Sequence, residues 1–501
     1  MTLVSTRNER LAELVSGAGW DAVLYPCDER DRERMEASRA TLAGAIDGQA
    51  PVYGVTRGFG PLVAYAAAES AVEQGAGLIA HLGSGQGAPL PPEVCRLIFF
   101  LRLRSMRQGY SAVSPGFWQQ LADLWNAGLT PAIPRYGTVS ASGDLQPLAH
   151  AALALAGKGE TWVRGDTGRW EVQPAEQALK ALAAEPIEWA AREALAFVNG
   201  TSASLGLTIV NHQHVLRMVR AVSTLTARIA VLLGCSPEAY HAGIGEARGQ
   251  LGQMTVARWI RADLPGGHAR DLGRPLQEPY SLRCAPQVLG AVLDQLHATE
   301  EILLREAGGC TDNPICYEGE LLHGGNFHAM PVGLASDQIG LCLQQVAYLA
   351  ERQLALLCEP ATNGGLPPML TPRPGAGSGL AGVQLSATSF VSKIRQLVYP
   401  ASLTALPTNG GNQDHVPMAL NGAVSVAEAV ELAWLALGSL AVGVAQLTCR
   451  TGAAATGLWQ RLAELSPPLE HDRPLAGEVR AAADLVSASA AELLTFDDGW
   501  A

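Results

Sequence analysis

The sequence predicts a mainly α-helical protein built on a long central helical bundle, suited to burial between subunits, with a loop-rich N-terminal region. Three observations predict it. Hydrophobic residues make up 48% of the 501 residues and charged residues only 16%, a balance typical of assemblies that bury helix faces between subunits. Aromatic residues are only 6%, while Ala, Leu and Gly abound, which favours helices packed through small side chains over a β-sandwich. Finally, residues 202–233, 331–357 and 419–447 each carry apolar side chains at three- and four-residue spacing, with few charges and no proline beyond their ends.

Helices of about thirty residues run roughly 45 Å at about 1.5 Å per residue. Several of them side by side form a bundle, and their low charge suits burial between subunits. A single large monomeric helical protein is the alternative that composition alone leaves open. Taken along the chain, the N-terminal MTLVSTRNERLAELV has no apolar signal-peptide core. Nine cysteines are scattered without a CxxC pair, as expected of reduced thiols in a cytoplasm. Residues 419–448 are the most membrane-like stretch, yet they contain Asn421, Glu428, Glu431 and Gln446, so a buried helix is expected there. Gly-rich, polar loops fall at 53–61, 83–92, 131–147, 265–286, 308–326 and 371–382, and loops on a rigid helical frame are where chemistry usually sits. Residues 1–200 are therefore expected to form a loop-bearing N-terminal region, 201–465 the long-helix domain and 466–501 a helical tail. The net charge of −12 argues against nucleic acid or an anionic membrane as partner. No HExxH or close Cys/His cluster supports a metal.

The segment from Pro134 to Pro147 contains Ala141-Ser142-Gly143 before a helical run. In a very tight turn the Gly143 amide nitrogen could attack the Ala141 carbonyl, because glycine has no Cβ to block the approach. Loss of water from the ring and from Ser142 would leave a five-membered ring with an exposed methylidene. Alone, such a triplet is ordinarily just a loop. Its surroundings, Gly137-Thr-Val-Ser-Ala-Ser-Gly-Asp-Leu-Gln-Pro-Leu-Ala-His150, closely resemble the signature of the aromatic amino acid lyases and histidine ammonia-lyase. Further blocks stand in that family's order: Tyr53 to Gly60, Asn199-Gly-Thr201, Gln277 to Cys284, Thr311-Asp-Asn-Pro314, Gly324-Gly-Asn-Phe-His328 and Asn412-Gln-Asp-His415.

The resemblance implies a histidine ammonia-lyase-like helical fold and a homotetramer whose active sites are each assembled from three subunits. It implies a methylidene-imidazolone (MIO) cofactor formed from Ala141, Ser142 and Gly143, and no metal, nicotinamide or pyridoxal group. Such a ring makes the amine of an α-amino acid a better leaving group. By the same resemblance Tyr53 takes the β-proton, although a phenol of ordinary pKa near 10 is a poor base and must be lowered by nearby donors or charge. Arg283 would grip the substrate carboxylate through two parallel hydrogen bonds. Tyr280 would be a second phenol near the ring, with Gln277 beside it. Asn199 and Asn326 would polarise the ring carbonyl and help hold the carboxylate, Phe327 would pack beside the ring, and Gly60 would make a backbone contact. Outside that resemblance, most of these residues read as ordinary turn, cap or packing positions.

Two positions speak to the substrate. His81-Leu82 resembles the pair carried by members acting on tyrosine, and an imidazole suits a phenol hydroxyl that would be costly to leave unsatisfied. Gln413 stands where histidine-specific members carry glutamate. Elimination of ammonia from L-tyrosine to p-coumarate is thus the expected activity. The alternatives are a tyrosine 2,3-aminomutase giving β-tyrosine, a phenylalanine-specific relative, and an inactive scaffold, which would be expected to have lost Tyr53, the triplet or Arg283. Departures from the family pattern are Arg57 for Thr in the loop bearing Tyr53, Glu278 for Asp, Gly308 for Asn, Phe197 for Leu, and a degraded basic stretch at Gly245 to Gln250.

Overall fold

The long apolar segments do form helices in the computed structural model, which describes residues 9–165 and 167–494. They run Ser202–Leu233, Met330–Cys358 and Ala419–Thr451, and a fourth, Ala285–Gly308, joins them. Ala285–Gly308 follows directly on the turn Tyr280–Arg283, inside and beyond a stretch whose Gly and Pro content pointed to loop. Ala419–Thr451 is long and apolar enough to cross a membrane, yet most of its apolar stretch is buried inside the protein, as a core helix requires.

Contacts group the chain into two compact units of discontinuous sequence. The first comprises residues 1–210, 300–337 and 400–424, the second 211–299, 338–399 and 425–501. They differ from the three linear segments read from the sequence because four of the five unit boundaries fall inside the long helices, where composition does not change.

In the first unit the helix Pro92–Met106 is buried along nearly its whole length, three arginines included. Burying an arginine is tolerable only when its charge and donors are met. Arg96 stacks 3.7 Å over the Trp125 ring and donates to the Trp125 carbonyl at 3.0 Å. Arg104 is held by Glu9 at 2.6 Å. Arg102 donates to Thr311 Oγ1 at 3.3 Å and Ser105 Oγ at 3.4 Å. Short antiparallel pairs edge this unit. Gln86–Pro89 pairs with Pro134–Tyr136, placing the start of the signature loop. Ile315–Tyr317 pairs with Glu320–Leu322 through a two-residue turn in which Glu318 and Gly319 both have positive φ, the primed geometry that matches strand twist.

The described residues of the second unit form helices and loops, with no strand beyond an isolated bridge between Pro374 and Gly377. Small residues let its helices approach closely: a Cβ on Gly438 would lie 2.2 Å from the carbonyl of Val479, in the helix Ala476–Leu493. Gln353 donates to Thr226 Oγ1 at 2.8 Å and to the Ser281 carbonyl at 2.9 Å. His214 accepts from Trp434 Nε1 at 3.1 Å. All nine cysteines are free thiols, six of them buried.

Candidate active site

A cavity of about 970 Å³ opens in the first unit, and the signature loop forms part of its wall. The loop is tightly turned: Ser140 and Gly143 both have positive φ, 58° and 74°. At Gly143 the requirement for glycine is absolute, since a Cβ would stand 2.3 Å from the Gly200 nitrogen. Gly200 is pressed in turn by the Arg102 guanidinium. Behind the loop lies Asp144, fully buried, which accepts from Ser140 Oγ at 2.7 Å, Ser204 N at 2.7 Å and Ser204 Oγ at 2.8 Å. Burial pushes its carboxyl upward, against those three donors and the Ala203 N–H. Its carboxylate also sits at the first turn of Ser202–Leu233, where the helix dipole favours negative charge.

Ser142 is presented to the cavity by two amides. Asn199 Nδ2 donates to the Ser142 carbonyl at 2.7 Å, and Gln413 Nε2 donates to Ser142 Oγ at 2.8 Å. Asn199 caps the C-terminus of Ala191–Val198, which explains how a buried amide is aimed at the loop. Facing it, Tyr53 Oη accepts the Gly60 N–H at 2.9 Å. Burial holds the Tyr53 phenol above its ordinary value and the Gly60 donor only partly offsets this. Lowering was expected of a base, so within one chain the opposite holds.

His81 ends the helix Ala71–Leu82 on the cavity wall, with Nδ1 3.1 Å from the Gly77 carbonyl. That contact places the ring proton on Nδ1 and leaves Nε2 as an acceptor. The helix lies close on the segment before Ala191–Val198 because Gly75 has no side chain: a Cβ there would meet the Trp189 carbonyl at 2.4 Å. Leu82 is buried behind it. Glu73, Gln74, Thr408 and Asn409 also line the wall. No lysine or arginine is among its described lining residues.

Tyr53, Gly60, His81, Leu82, Ala141, Ser142, Gly143, Asn199 and Gln413 therefore come together on one cavity. Asn326 is exposed, donating to the Cys310 carbonyl at 3.4 Å, and Phe327 is half-buried; neither lines that wall. Phe197 is wholly buried between Trp189 and Phe99, so its bulk fills core, not cavity. In the second unit, Gln277 and Arg283 line a cavity of about 350 Å³ with Glu278 and Cys284. Arg283 Nε donates to the Glu278 carbonyl at 3.2 Å and its guanidinium lies 4.9 Å over the ring of Tyr280, which is 71% exposed. Glu278 is ion-paired with Arg274.

The model of the family described as aromatic amino acid lyase matches residues 11–463. The chain belongs to the aromatic amino acid lyase family. A tyrosine ammonia-lyase of Cereibacter sphaeroides is 38% identical to this aromatic amino acid lyase, over 94% of both chains. The crystal structure of a tyrosine aminomutase from Streptomyces globisporus superposes with a TM-score of 0.89 at 30% identity, covering 97% of this chain and 98% of that one. Histidine ammonia-lyase from Trypanosoma cruzi superposes at 0.85 with 25% identity, covering 98% and 95%. The mainly helical architecture expected from the sequence is thus the fold of this family.

Sequence reasoning missed what holds this lyase's loop in place: Asp144, Ser140, Ser204 and Gly200. Asp144 was visible inside the signature block, but nothing local marks Ser204 as its partner sixty residues on. Among the described residues no group of three or more His, Cys, Asp or Glu side chains is placed to hold a metal ion.

Proposed function

We propose that the protein eliminates ammonia from L-tyrosine, giving p-coumarate, with a ring formed from Ala141, Ser142 and Gly143 as its electrophile. The observation that carries this is the pair of amides, Asn199 and Gln413, that present Ser142 to a cavity also holding Tyr53 and His81. The loop fits such a ring: it turns through positive φ at Ser140 and Gly143, and no side chain at residue 143 could be accommodated. When formed, the ring supplies an electrophile for the substrate amine. Asn199 would then polarise the carbonyl of Ser142, and Gln413 would steer its β-carbon side.

The remaining work falls to side chains. His81 Nε2 accepts the substrate's phenol proton and so selects tyrosine over phenylalanine. Tyr53 takes the β-proton while the C–N bond breaks, the C=C bond forms and ammonia departs. Its phenol must be ionised first, and burial in a single chain opposes that. The absence of a cation from the described cavity wall likewise leaves the substrate carboxylate unmet. Both needs are met if neighbouring copies in a homotetramer contribute Arg283, with Tyr280 and Gln277. Asn326 and Phe327 would reach the substrate only as the loops close. A cytoplasmic location accords with the buried apolar helix and the free thiols.

The second reading is the 2,3-aminomutase, favoured by the likeness to a tyrosine aminomutase over nearly the whole chain. Both enzymes release the β-proton; they differ in whether the acrylate is held until the amine returns. Purified protein incubated with L-tyrosine should yield mainly p-coumarate, and β-tyrosine as the early product would instead establish the mutase. Ser142→Ala should abolish turnover and show the intact mass calculated from its own sequence, without the loss of two waters that ring formation causes in the parent, with the fold retained. Full turnover in that variant would sink the cofactor assignment.

A further inference from the structure

Tyr53 is gripped at both ends. Its phenol oxygen takes the Gly60 N–H, and its backbone N–H donates to His323 Nε2 at 3.2 Å. The turn that carries it explains why the second grip is needed. The N–H groups of Val55, Thr56 and Arg57 all converge on the Val52 carbonyl, at 3.2, 2.9 and 3.1 Å, and Val52 N donates to Thr56 Oγ1. Tyr53 N–H is left out of this arrangement, and its acceptor among the described residues is the His323 ring.

The backbone on either side of His323 is held by the hairpin. His323 directly follows the strand Glu320–Leu322, and Gly324 N donates to Asn313 Oδ1 at 2.7 Å. The hairpin also shares a core with the Tyr53 turn, since Val52 is buried beside Cys316 with Leu321 packed against them. Two neighbouring contacts, one apolar and one polar, thus register the turn on the hairpin. We propose that His323 is a positioning residue for Tyr53, accepting its backbone N–H so that the phenol stays aimed into the cavity. This rests on the reading of Tyr53 as the base.

The role requires a neutral ring with its proton on Nδ1, because a protonated ring would set N–H against N–H. The positive charges around it favour that form: Arg57 lines the same small cavity with Tyr53, and partial desolvation and the Arg192 charge hold the imidazole below its ordinary pKa. Arg57, the departure from the family pattern in this turn, acquires a place here.

The test uses the full-length enzyme and L-tyrosine, with His323→Leu, His323→Gln and Tyr53→Phe. Leucine removes the acceptor, whereas the glutamine amide oxygen can reach the position of Nε2. Loss of one such hydrogen bond should lower kcat about tenfold in His323→Leu with KM changed less than about twofold, and His323→Gln should return to within about threefold of the parent. His323 is exposed, so thermal midpoints and the loss of two waters in intact mass should match the parent for both. A His323→Leu enzyme with parental kcat, a His323→Gln enzyme as slow as His323→Leu, or a rise in KM in place of a fall in kcat overturns the proposal. If Tyr53→Phe is inactive while His323→Leu is unimpaired, only the role of His323 falls. If Tyr53→Phe turns over normally, the assignment of the base falls as well.

Discussion

Replacing Asp144 with alanine removes the acceptor on which three hydrogen bonds converge behind the signature loop. Ser204 Oγ has a second acceptor in the Thr201 carbonyl at 3.1 Å, so it is spared. Ser140 Oγ–H and Ser204 N–H are left buried without their acceptor. At about 1–3 kcal/mol for each orphaned group, Asp144→Ala should lose about 2–6 kcal/mol, a large share of the roughly 5–15 kcal/mol typical of a folded domain. Asp144→Asn keeps one acceptor oxygen and should lose less than half as much. The same change frees Ser140, whose positive φ sets the loop's turn, so ring closure should be incomplete in Asp144→Ala. Denaturant melts give the first quantity and intact mass the second. An Asp144→Ala protein as stable as the parent, with both waters fully lost, would refute the view that this carboxylate organises the loop.

His81→Phe removes the Nε2 acceptor and leaves the substrate hydroxyl unsatisfied; at about 1–3 kcal/mol this should lower kcat/KM for tyrosine roughly 5- to 150-fold and raise the relative preference for phenylalanine. An unchanged ratio between the two substrates would mean that the ring of His81 does not face the phenol. His214 is half-buried and held at about 4, first by desolvation and then by Arg217, so the fold favours the neutral imidazole. Its stabilising effect is complete above the ordinary histidine value of about 6.5 and is lost as pH falls toward 4, at up to about 1.4 kcal/mol per unit. His214→Gln should therefore flatten the acid limb of stability by about 3 kcal/mol near pH 4, and stability curves that stay parallel to the parent's would contradict it.

The long helices were legible because apolar spacing over thirty residues leaves few alternatives; Ser202–Leu233 has the bounds its periodicity implied. Ala285–Gly308 was less so, since Pro286 and the Gly-Pro-rich run before it mask its start. In the site, Tyr53, Ser142, Asn199 and Gln413 were legible through motifs; the structure brings all four to one cavity, and Asn199 and Gln413 hydrogen-bond to Ser142. What local sequence could not carry were distances closed by the fold. Ser204 under Asp144, Gly200 against Gly143 and His323 beneath Tyr53 are partners only once helices and hairpins are packed. Phe197 shows the converse: it is a bulky departure from the family pattern, yet it faces Trp189 and Phe99 in the core and does not line the cavity. The sign of the Tyr53 shift was equally invisible, because desolvation depends on everything packed around the ring.

The buried thiols have a consequence for handling the molecule. Cys95, Cys235 and Cys358 are pushed up to about 12, and Cys342 and the half-buried Cys310 to about 11, mainly by desolvation. Only the thiolate reacts with alkylating or oxidising agents, so at neutral pH these positions are chemically silent while the fold is closed. A cysteine introduced on the loop beside Tyr53 could then carry a spectroscopic label without first stripping out those five, and slow labelling at any of them would clock local opening of the fold around it.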